Sequence, residues 1–535
     1  MKHTIEQLIR EGIEALQASG VWAEFAVPSI EVTRPKSESF GDFTSNIALV
    51  LAKLVGKSPM DIATALKEQM EGLCQENSIQ FFEVVAPGYI NITLSEKYFL
   101  SIVDTVLREQ NAFGTSVIGK GIRINNEFIS ANPTGPLTVG NGRGGFLGDA
   151  LSRVLRKASC EVTNEYYVND AGEQVLKLGH SVLKDDQAVY GGEYVDVLWK
   201  QFGKNGGDVR VVGVAAAQYV LDEYIKKTVT ETMRVSFDVW MSERTIFDDG
   251  FVDRAIDILK QKEYTFEVDG ALWFRSTAFG DDKDRVLIKS DGSKTYFASD
   301  CGYILQKKER GFERLIEIWG ADHHGYINRF RAAAQAIGFD ADSIVFLIVQ
   351  LVKVIKDGKE VRMSKRAGNV VLIDDLINTV GHDVTRFFFL MYASNTHMNF
   401  DLGLAQEQSQ KNPVFYVQYA HARIASILER AQALALPAVD TDAPIALHAK
   451  EISLIRVLAQ FPELVEDIAR SYEVHRLPHY AVTVADAFHS FYNECKVIDE
   501  AHPDTTKYRL RIVSATKIVL AETLRLIGVS APNKM

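Results

Sequence analysis

The apolar positions of this chain change their period from one region to the next. Up to about residue 112, the amphipathic stretch MKHTIEQLIREGIEAL and extended stretches such as FFEVVAPGYINITL follow one another, which predicts a mixed α+β region. From Ala405 onward nearly every segment follows the helical period, with breaks near Pro437, Pro444 and Pro503. The pattern therefore predicts an all-α bundle at the C-terminal end.

Between these regions, GKGIRINNEFISANPTGPLTVGNGRGGFLGDALSRVLRKA predicts a strand, a loop and a helix in succession. Residues 123–129 have an extended pattern, residues 132–136 break it, and apolar residues recur at helical spacing from about Arg143. Four glycines lie at the helix entrance: Gly140, Gly142, Gly144 and Gly145. A helix N-terminus without side chains lets a phosphate approach the backbone N–H groups, but a glycine-rich turn also serves close helix–strand packing. Both explanations remain open at this point.

A second glycine-ended segment follows a predicted hairpin. IVFLIVQLVKVI predicts one strand, Asp357-Gly358 is a typical two-residue hairpin turn, and the return strand leads into VRMSKRAGNVV. That segment places Lys365 next to Arg366 on a loop that closes at Gly368. Adjacent cations on such a loop suit the neutralisation of phosphate charge during a reaction. Taken alone, a solvated basic turn is the commoner explanation of these residues.

Composition narrows the class of protein. A chain of 535 residues, 47% of them apolar, is long enough for several domains. Its net charge of −11 argues against a general nucleic-acid binder, although local basic patches decide binding to a particular RNA. No apolar run has transmembrane length, and the N-terminus has no secretory signal pattern, so we expect a cytoplasmic protein without membrane contact.

Metal binding is not expected. The four cysteines are far apart and form no CxxC pair, which argues against a zinc site or a disulfide framework. His323 and His324 follow Asp322 and invite a metal interpretation. We treat them as neighbours on a strand, where adjacent side chains point to opposite faces and rarely bind one ion together.

These segments together resemble the paired motifs of class I aminoacyl-tRNA synthetases, and the arginyl-tRNA synthetases most closely. ANPTGPLTVGNGRG is similar to the first motif of that family (HIGH) and RMSKR to the second (KMSKS). DDKDRVLIKSDG, TYFASD, IEIWGADHHGYINR, FFFLMYASNTHMNFDL and NPVFYVQYAHARI resemble family segments in the family's order. FGDFTSNIALVLAK near the start and HRLPHY near the end are similar to its flanking domains. The resemblance covers nearly the whole chain.

The resemblance implies a nucleotide-binding α/β (Rossmann-like) catalytic domain between an N-terminal α+β domain and a C-terminal all-α helical bundle. We expect these domains at residues 113–402, 1–112 and 403–535, with an insertion around 195–279 in the catalytic domain. The N-terminal domain would contact tRNA and the helical bundle would bind the anticodon. The implied function is ATP-dependent activation of L-arginine to arginyl-adenylate and its transfer to tRNA(Arg). Mg²⁺ would accompany ATP, and the implied enzyme is a cytoplasmic monomer that activates arginine only with tRNA bound.

The same resemblance assigns site residues. Those implied for catalysis are Thr138, Asn141, Lys365 and Arg366. Those implied for ATP binding are Pro133, Gly135, Gly140, Gly142, Gly320, Asp322, His323, Met363 and Ser364. Those implied for arginine binding are Glu127, Asn132, Tyr296 and Asp300. A planar guanidinium is best held by bidentate pairing with carboxylates, which agrees with the two acids in the last group.

Several candidates have simpler explanations. Asp300 also has the pattern of a first-turn helix acid, and Tyr296 that of a core residue. Asn169, Asp170 and Gln174 in YYVNDAGEQ are further candidates for the active site, and a helix N-cap role is an equal alternative for Asp170.

The chain departs from the family pattern at both motifs. Thr138 and Asn141 replace the two histidines of the first motif, and Arg362 replaces the first lysine of the second. Thr and Asn still donate hydrogen bonds, so phosphate contact is retained, but the loss of two imidazoles predicts a slower enzyme. An alternative function is therefore a synthetase-like paralogue with weakened catalysis that binds tRNA or regulates. Retention of RMSKR and of the arginine-site residues argues against that alternative.

Overall fold

The computed structural model describes residues 1–74, 78–361, 371–434 and 446–535. The chain forms two compact units. Unit 1 comprises Met1–Gln110, Arg430–Ala459 and Ala487–Ile518, and unit 2 comprises Asn111–Glu429, Gln460–Asp486 and Val519–Met535. Among the helices in the described ranges, none combines the length and the apolar composition of a transmembrane span.

The N-terminal part of unit 1 combines helices with a four-stranded antiparallel sheet. Its elements are α1 (Lys2–Ala18), β1 (Val32–Thr33), β2 (Phe43–Ser45), α2 (Ile47–Val55), α3 (Pro59–Leu73), β3 (Ile79–Val85), β4 (Tyr89–Leu94) and α4 (Glu96–Glu109). The strand order is β1-β2-β4-β3. Helix α1 buries the apolar stripe Ile5, Ile9, Ile13 and Leu16, as its helical spacing predicts. The prediction of an α+β region is confirmed.

Unit 2 is built on a five-stranded parallel sheet with the order β12-β11-β5-β6-β7. Its first elements are β5 (Arg123–Glu127), α5 (Val139–Lys157), β6 (Glu161–Val168), α6 (Glu173–Leu183), α7 (Glu193–Leu198), α8 (Val209–Tyr219), β7 (Val239–Ser242), α9 (Glu243–Asp248), α10 (Phe251–Gln261), β8 (Thr265–Val268), β9 (Ala271–Phe274), β10 (Arg285–Ile288), α11 (Tyr296–Glu309), β11 (Arg314–Gly320), α12 (Ile327–Ile337) and β12 (Ile344–Val349). Strands β8 to β10 form a separate antiparallel sheet. The α/β prediction for this region is confirmed.

The remaining elements are mostly helical. They are β13 (Val352–Lys356), β14 (Lys359–Glu360), α13 (Ile373–Val380), α14 (His382–Leu390), β15 (Met398–Asp401), α15 (Leu402–Gln406), α16 (Pro413–Ala433), α17 (Ala449–Leu458), α18 (Phe461–Ser471), α19 (Arg476–Glu494) and α20 (Pro503–Ile527). Strand β13 pairs with β14 on one side and β15 on the other. From Leu402 onward the described elements are helices, which confirms the predicted all-α region.

The strand predicted from IVFLIVQLVKVI is wrong in its extent. The stretch forms two strands, β12 in the parallel sheet and β13 in the small sheet with β14 and β15. Gln350 lies at the break, where its N–H donates to the Ser394 carbonyl (2.9 Å) and its carbonyl accepts from Arg143 Nη1 (2.9 Å). These bonds use the backbone groups that a continuous strand would need.

Two other boundaries differ from the sequence predictions. Strand β5 ends at Glu127 and not at Ile129, because Ile129 has a φ of 68°. Helix α5 begins at Val139 and not near Arg143, since Thr138 is its N-cap. The predicted hairpin turn is confirmed: Asp357 and Gly358 link β13 to β14 with φ angles of 53° and 74°, as a type I′ turn requires.

Candidate active site

The candidate site lies at the carboxyl ends of two neighbouring central strands. Strand β5 pairs with β6 on one side and with the much later β11 on the other. The strand order therefore reverses direction at β5, and open parallel sheets bind their ligands in the crevice at such a point. Glu127 ends β5 and Gly320 ends β11, so both predicted site residues lie at this edge.

A strained turn links Glu127 to Asn132. Ile129 and Ser130 have φ angles of 68° and 40°, which are uncommon for any residue with a side chain and rarest for a β-branched one. Ser130 holds the turn in place: its Oγ donates to Glu127 Oε1 (3.0 Å) and accepts from the Tyr167 N–H (3.1 Å). The turn leaves Asn132 exposed and Glu127 buried.

Behind Glu127 lies a buried network of charged and polar groups. Lys307 Nζ contacts Glu127 Oε2 and Glu317 Oε1, both at 2.7 Å. The Tyr303 hydroxyl lies 2.7 Å from Glu127 Oε2 and 2.5 Å from Glu165 Oε1. Burial opposes the charge of Lys307, but the carboxylates of Glu127 and Glu317 outweigh it and raise the lysine pKa above its ordinary value. The lysine therefore stays charged at this site.

Asp300 and Tyr296 lie one turn apart at the start of α11, as the sequence indicates. Thr295 is the N-cap, so Asp300 lies in the second turn and is not a first-turn acid. Burial, with the negative charge of Glu243, raises the pKa of Asp300 to about 8. Tyr296 is 52% exposed, and its hydroxyl accepts from the Glu173 N–H (3.0 Å). Neither simpler explanation, a first-turn acid or a core tyrosine, describes these residues.

Glu243 belongs to the same acidic group, although the sequence analysis did not select it. It is 3% exposed, and burial raises its pKa to about 7 against the opposing hydrogen bonds from Ser299 and Tyr167. With the Asn169 amide oriented so that its nitrogen and its oxygen both have hydrogen-bond partners, Nδ2 donates to Glu243 Oε2 at 2.7 Å. Asn169, one of the further candidates, therefore lies at this pocket.

The sequence offered only a weak signal for Glu243. It follows a serine as the first residue of α9, and this pattern is typical of an ordinary first-turn acid at the surface. Nothing in the local pattern distinguishes a buried acid at that position from an exposed one. The distinction depends on Tyr167 and Ser299, which come from a strand and a helix far away in the chain.

Asp170 caps a helix, but not the one that follows it. The N-cap of α6 is a glycine, whereas Asp170 Oδ2 accepts from Ser242 Oγ (2.6 Å) and Asp170 Oδ1 from the Arg244 N–H (3.3 Å). Asp170 therefore fixes the start of α9 and the position of Glu243, the first residue of that helix. Gln174, in α6, accepts a hydrogen bond from the Tyr190 hydroxyl through its Oε1 (2.5 Å).

The two residues that replace the histidines of the first motif bond to each other. Thr138 is the N-cap of α5, and Asn141 lies in the first turn. Asn141 Oδ1 accepts from the Thr138 N–H (3.0 Å) and from its hydroxyl (2.9 Å). The Asn141 Nδ2 donor takes no part in this pair. Asn141 belongs to the first turn of α5, where the backbone N–H groups and the helix dipole favour an anion.

The first motif is also bonded to the residues that follow the second. The Val139 N–H donates to the Val371 carbonyl (3.0 Å), and the Ile373 N–H donates to the Leu137 carbonyl (3.1 Å). The second motif itself, with Met363, Ser364, Lys365 and Arg366, lies outside the described residues. Val371, which follows the second motif in the chain, therefore contacts the N-terminus of α5 in the first motif.

The entrance glycines of α5 divide into two kinds. A Cβ on Gly142 would lie 2.5 Å from Ile373 Cδ1, so this residue is needed for close packing. Of the atoms in the described part of the chain, a Cβ on Gly140 would meet only Thr138 Oγ1, at 3.6 Å, and Gly140 is exposed. The packing explanation therefore accounts for Gly142, and the open backbone at Gly140 suits approach by a ligand.

Pro133 and Gly135 lie in the connection from β5 to α5. Pro133 is buried. The preceding Asn132 carbonyl accepts from the Thr134 N–H (2.7 Å), which tightens the turn. A Cβ on Gly135 would lie 3.2 Å from the ring of Tyr194, tighter than ordinary contact. Both residues therefore belong to the tight connection that leads from Glu127 to the N-terminus of α5.

Gly320 is the last residue of β11, and Asp322 and His323 follow it outside the strand. Ala321–Tyr326 is a short 3₁₀ helix, so the argument from opposite strand faces was wrong for the two histidines. Asp322 Oδ2 lies 3.5 Å from His323 Nε2, and both side chains are exposed. Among the residues that the structure describes, no group of three or more His, Cys, Asp or Glu side chains is arranged to hold a metal ion.

Three family models match parts of the chain. Residues 3–94 match the family model "Arginyl tRNA synthetase N terminal domain", residues 210–389 match "tRNA synthetases class I (R), catalytic domain", and residues 417–535 match "DALR anticodon binding domain". The chain is 41% identical to the arginine–tRNA ligase of Anoxybacillus flavithermus and 40% identical to that of Bacillus subtilis. Each match covers 99% of both chains. The arginyl-tRNA synthetase structure of Thermus thermophilus has the same fold, with a TM-score of 0.76, 21% identity and full coverage of both chains.

Proposed function

This chain belongs to the arginyl-tRNA synthetase family, and we propose that its acidic crevice receives L-arginine for the arginine–tRNA ligase reaction. The ligase activity follows from similarity over the whole chain. The observation that carries the assignment of the pocket is the pair Asp300 and Glu243, whose pKa values are raised to about 8 and about 7. A guanidinium stabilises the ionised form of such carboxyls and is held by them in return.

Arginine has two cationic ends, and the crevice has acids for both. Asp300 and Glu243 are the partners that we assign to the guanidinium, because a planar fork pairs best with carboxylates. Glu127 and Asn132, on either side of the strained turn, are assigned to the amino end of the substrate. Tyr296 joins the group at the start of α11, beside Asp300. This arrangement supports selection of a residue that carries both a guanidinium and an ammonium.

ATP is assigned to the N-terminus of α5 and the adjoining end of β11. Asn141 Nδ2 and the open backbone at Gly140 suit contact with phosphate oxygens. Gly320, Asp322 and His323 border the place for the ribose and base. The arginine carboxylate would then attack the α-phosphate, and pyrophosphate would leave. This reaction needs alignment and positive charge more than covalent help from the protein.

We assign the stabilisation of the growing negative charge on pyrophosphate to Lys365 and Arg366 of the second motif. Their role rests on the resemblance of RMSKR to the family motif, and Val371 next to that motif bonds to the first motif. Mg²⁺ would enter with the phosphates of ATP, because this small, hard cation is usually bound through substrate phosphates with few protein ligands. The absence of a three-ligand cluster among the described residues is compatible with that route.

The flanking regions are assigned to tRNA(Arg). The match to an anticodon-binding domain over residues 417–535 supports recognition of the anticodon by the C-terminal helices. We place the N-terminal domain at residues 1–112, the catalytic domain at 113–402 with its insertion around 195–279, and the helical domain at 403–535. We also propose that the enzyme acts as a cytoplasmic monomer.

One assay tests the function. Purified protein with ATP, Mg²⁺, labelled arginine and tRNA(Arg) should form acid-precipitable arginyl-tRNA, and lysine or citrulline should not replace arginine. A protein that binds tRNA(Arg) tightly but forms no arginyl-tRNA would contradict the proposal. That result would favour the non-catalytic paralogue that the replaced histidines suggest.

A further inference from the structure

The Lys307 side chain is fully buried, and its ammonium group contacts Glu127, the acid at the edge of the proposed substrate crevice. Its Nζ is 2.7 Å from Glu127 Oε2 and 2.7 Å from Glu317 Oε1. It also lies 4.2 Å above the ring centroid of Tyr303, whose hydroxyl reaches the same oxygen of Glu127. Placing a lysine in such a position costs desolvation, which only good partners offset.

The network has more acids than bases. Glu127, Glu165 and Glu317 face two cations, Lys307 and Arg310, which leaves one negative charge when all five groups are ionised. The Glu127 side chain is 8% exposed, against 0% for Glu165 and 2% for Glu317. The excess charge is therefore best solvated at Glu127, on the side of the crevice.

The two oxygens of Glu127 have different partners. Oε2 receives both Lys307 Nζ and the Tyr303 hydroxyl, whereas Oε1, among the residues that the structure describes, receives only Ser130 Oγ, at 3.0 Å. A carboxylate oxygen accepts more than one hydrogen bond, so Oε1 keeps capacity for a cationic nitrogen of the substrate. Lys307 thus binds the rear of the carboxylate and leaves its front oxygen for arginine.

We propose that Lys307 is a positioning residue for arginine: its ammonium group holds the Glu127 carboxylate by Oε2, so that Glu127 Oε1 can bind the cationic substrate. The inference rests on the proposed role of Glu127 in arginine binding. Without the lysine, the carboxyl groups of Glu127 and Glu317 would face each other with no cation to bridge them. Repulsion at such a buried site would displace Glu127 from its position and weaken its contact with the substrate.

Protonation in this region depends on groups from five elements. The titratable or charged groups that face Glu127 or its partners are Glu165 and Tyr167 on β6, Glu243 on α9, Asp300, Tyr303, Lys307 and Arg310 on α11, Glu317 on β11 and Arg329 on α12. Four of these groups are carboxyls and three are cations, so removal of Lys307 leaves two cations facing the carboxyls of this region.

The test compares Lys307→Met with the unaltered enzyme in aminoacylation of tRNA(Arg). The arginine KM should rise about tenfold or more at pH 7, because a hydrogen bond to a charged group is worth about 1.5–3 kcal/mol and Glu127 loses the one that holds its position. The ATP KM should stay within about twofold, because ATP contacts other residues. Lys308→Met is the matched control: its Nζ donates to the Ile337 carbonyl instead (3.1 Å), so its arginine KM should not change. An unchanged KM in Lys307→Met overturns the inference.

A second substitution separates charge balance from simple packing damage. Lys307→Met combined with Glu317→Gln removes one positive and one negative charge, and it should restore much of the arginine affinity. Lys307→Arg should also keep most of it. If the loss in Lys307→Met is real but Glu317→Gln does not relieve it, the lysine acts only through packing and the inference is overturned.

If Lys307→Met does not fold, Glu317→Gln alone decides the matter. Lys307 would then pair with Glu127 alone and hold it more firmly, so the arginine KM at a fixed pH should be lower than in the unaltered enzyme. An arginine KM that is equal or higher overturns the inference. Failure of the unaltered protein to charge tRNA(Arg) would instead overturn the proposed function, which keeps the two failures distinct.

Discussion

The Thr138 hydroxyl donates to Asn141 Oδ1 at 2.9 Å, so the two residues that stand in place of the family's histidines form a pair. The pair uses the hydroxyl proton of Thr138 and the oxygen of Asn141. Of the two side chains, Asn141 therefore has the donor with which a phosphate oxygen can be bound, and Thr138 mainly orients it. The sequence suggested two equivalent donors, whereas the geometry assigns them different tasks.

The first prediction concerns Asn141→Ala. Loss of one neutral hydrogen bond to phosphate should weaken ATP binding by about 0.5–1.5 kcal/mol, which corresponds to a roughly two- to tenfold higher ATP KM. The measurement is pyrophosphate exchange with tRNA(Arg) present. Thr138→Ser keeps the hydroxyl and should leave the ATP KM unchanged. An Asn141→Ala enzyme with an unaltered ATP KM would show that Nδ2 does not contact the nucleotide.

The second prediction restores the usual residues. Thr138→His with Asn141→His should raise the activation rate below about pH 6.5, where imidazoles are charged. A charged donor contributes about 1.5–3 kcal/mol to a phosphate contact, against about 0.5–1.5 for a neutral one. The gain should fade at higher pH in a pH–rate profile. A double variant that is slower at every pH would mean that the surroundings have adapted to the Thr138–Asn141 pair.

The third prediction follows from the raised pKa values of Asp300 and Glu243, about 8 and about 7. Carboxyls with raised pKa values stabilise the fold while they are protonated, and that stability is lost as the pH rises through the raised values. The protein without arginine should therefore melt at a lower temperature at pH 8.5 than at pH 6. Saturating arginine should remove most of this difference. Asp300→Asn should reduce the dependence of the melting temperature on pH in the protein without arginine.

The same two carboxyls predict proton release on binding. Arginine binds their ionised forms, so its Kd should fall as the pH rises from 6 to 8, by up to about tenfold per pH unit for each proton released. Calorimetry in two buffers with different heats of ionisation measures the released protons directly. Asp300→Asn should release fewer protons and lose about 2–5 kcal/mol of arginine affinity, as when one partner of a buried charge pair is removed. Binding of arginine with no release of protons would contradict this assignment.

The fourth prediction distinguishes packing glycines from open ones. A Cβ on Gly148 would lie 2.3 Å from Cγ of the fully buried Phe128, so Gly148→Ala should destabilise unit 2 by about 1–3 kcal/mol or more. Gly140→Ala has space for its methyl group and should leave the melting temperature almost unchanged. Its effect should appear in the ATP KM instead. Equal loss of stability in both variants would argue against this division.

The fifth prediction concerns the second motif. Lys365→Ala should lower kcat far more than it changes the arginine KM, because the charge on pyrophosphate grows only in the transition state. Lys359→Ala, on the exposed strand β14, is the matched control and should behave like the unaltered enzyme. A raised arginine KM with an unchanged kcat would remove Lys365 from the role assigned to it.

The sequence by itself was sufficient for features that depend on neighbouring residues. The hairpin at Asp357-Gly358 follows from the dihedral preferences of two adjacent residues. The arrangement of Tyr296 and Asp300 on one side of α11 follows from helical spacing. The order of the motifs along the chain was also enough to identify the family and its three kinds of domain, because that order spans the whole molecule.

Tertiary structure alone decided which charged residues are buried together. Glu243, Lys307 and Glu317 come from three different elements, and each has an ordinary local pattern of a surface residue. They become a site because parallel strands and their helices bring their ends to one edge, where water is excluded and charges interact strongly. Likewise, Gly142 and Gly140 look alike in sequence, and only the position of Ile373 separates them. Burial and through-space charge depend on distant parts of the chain, and local patterns carry no information about them.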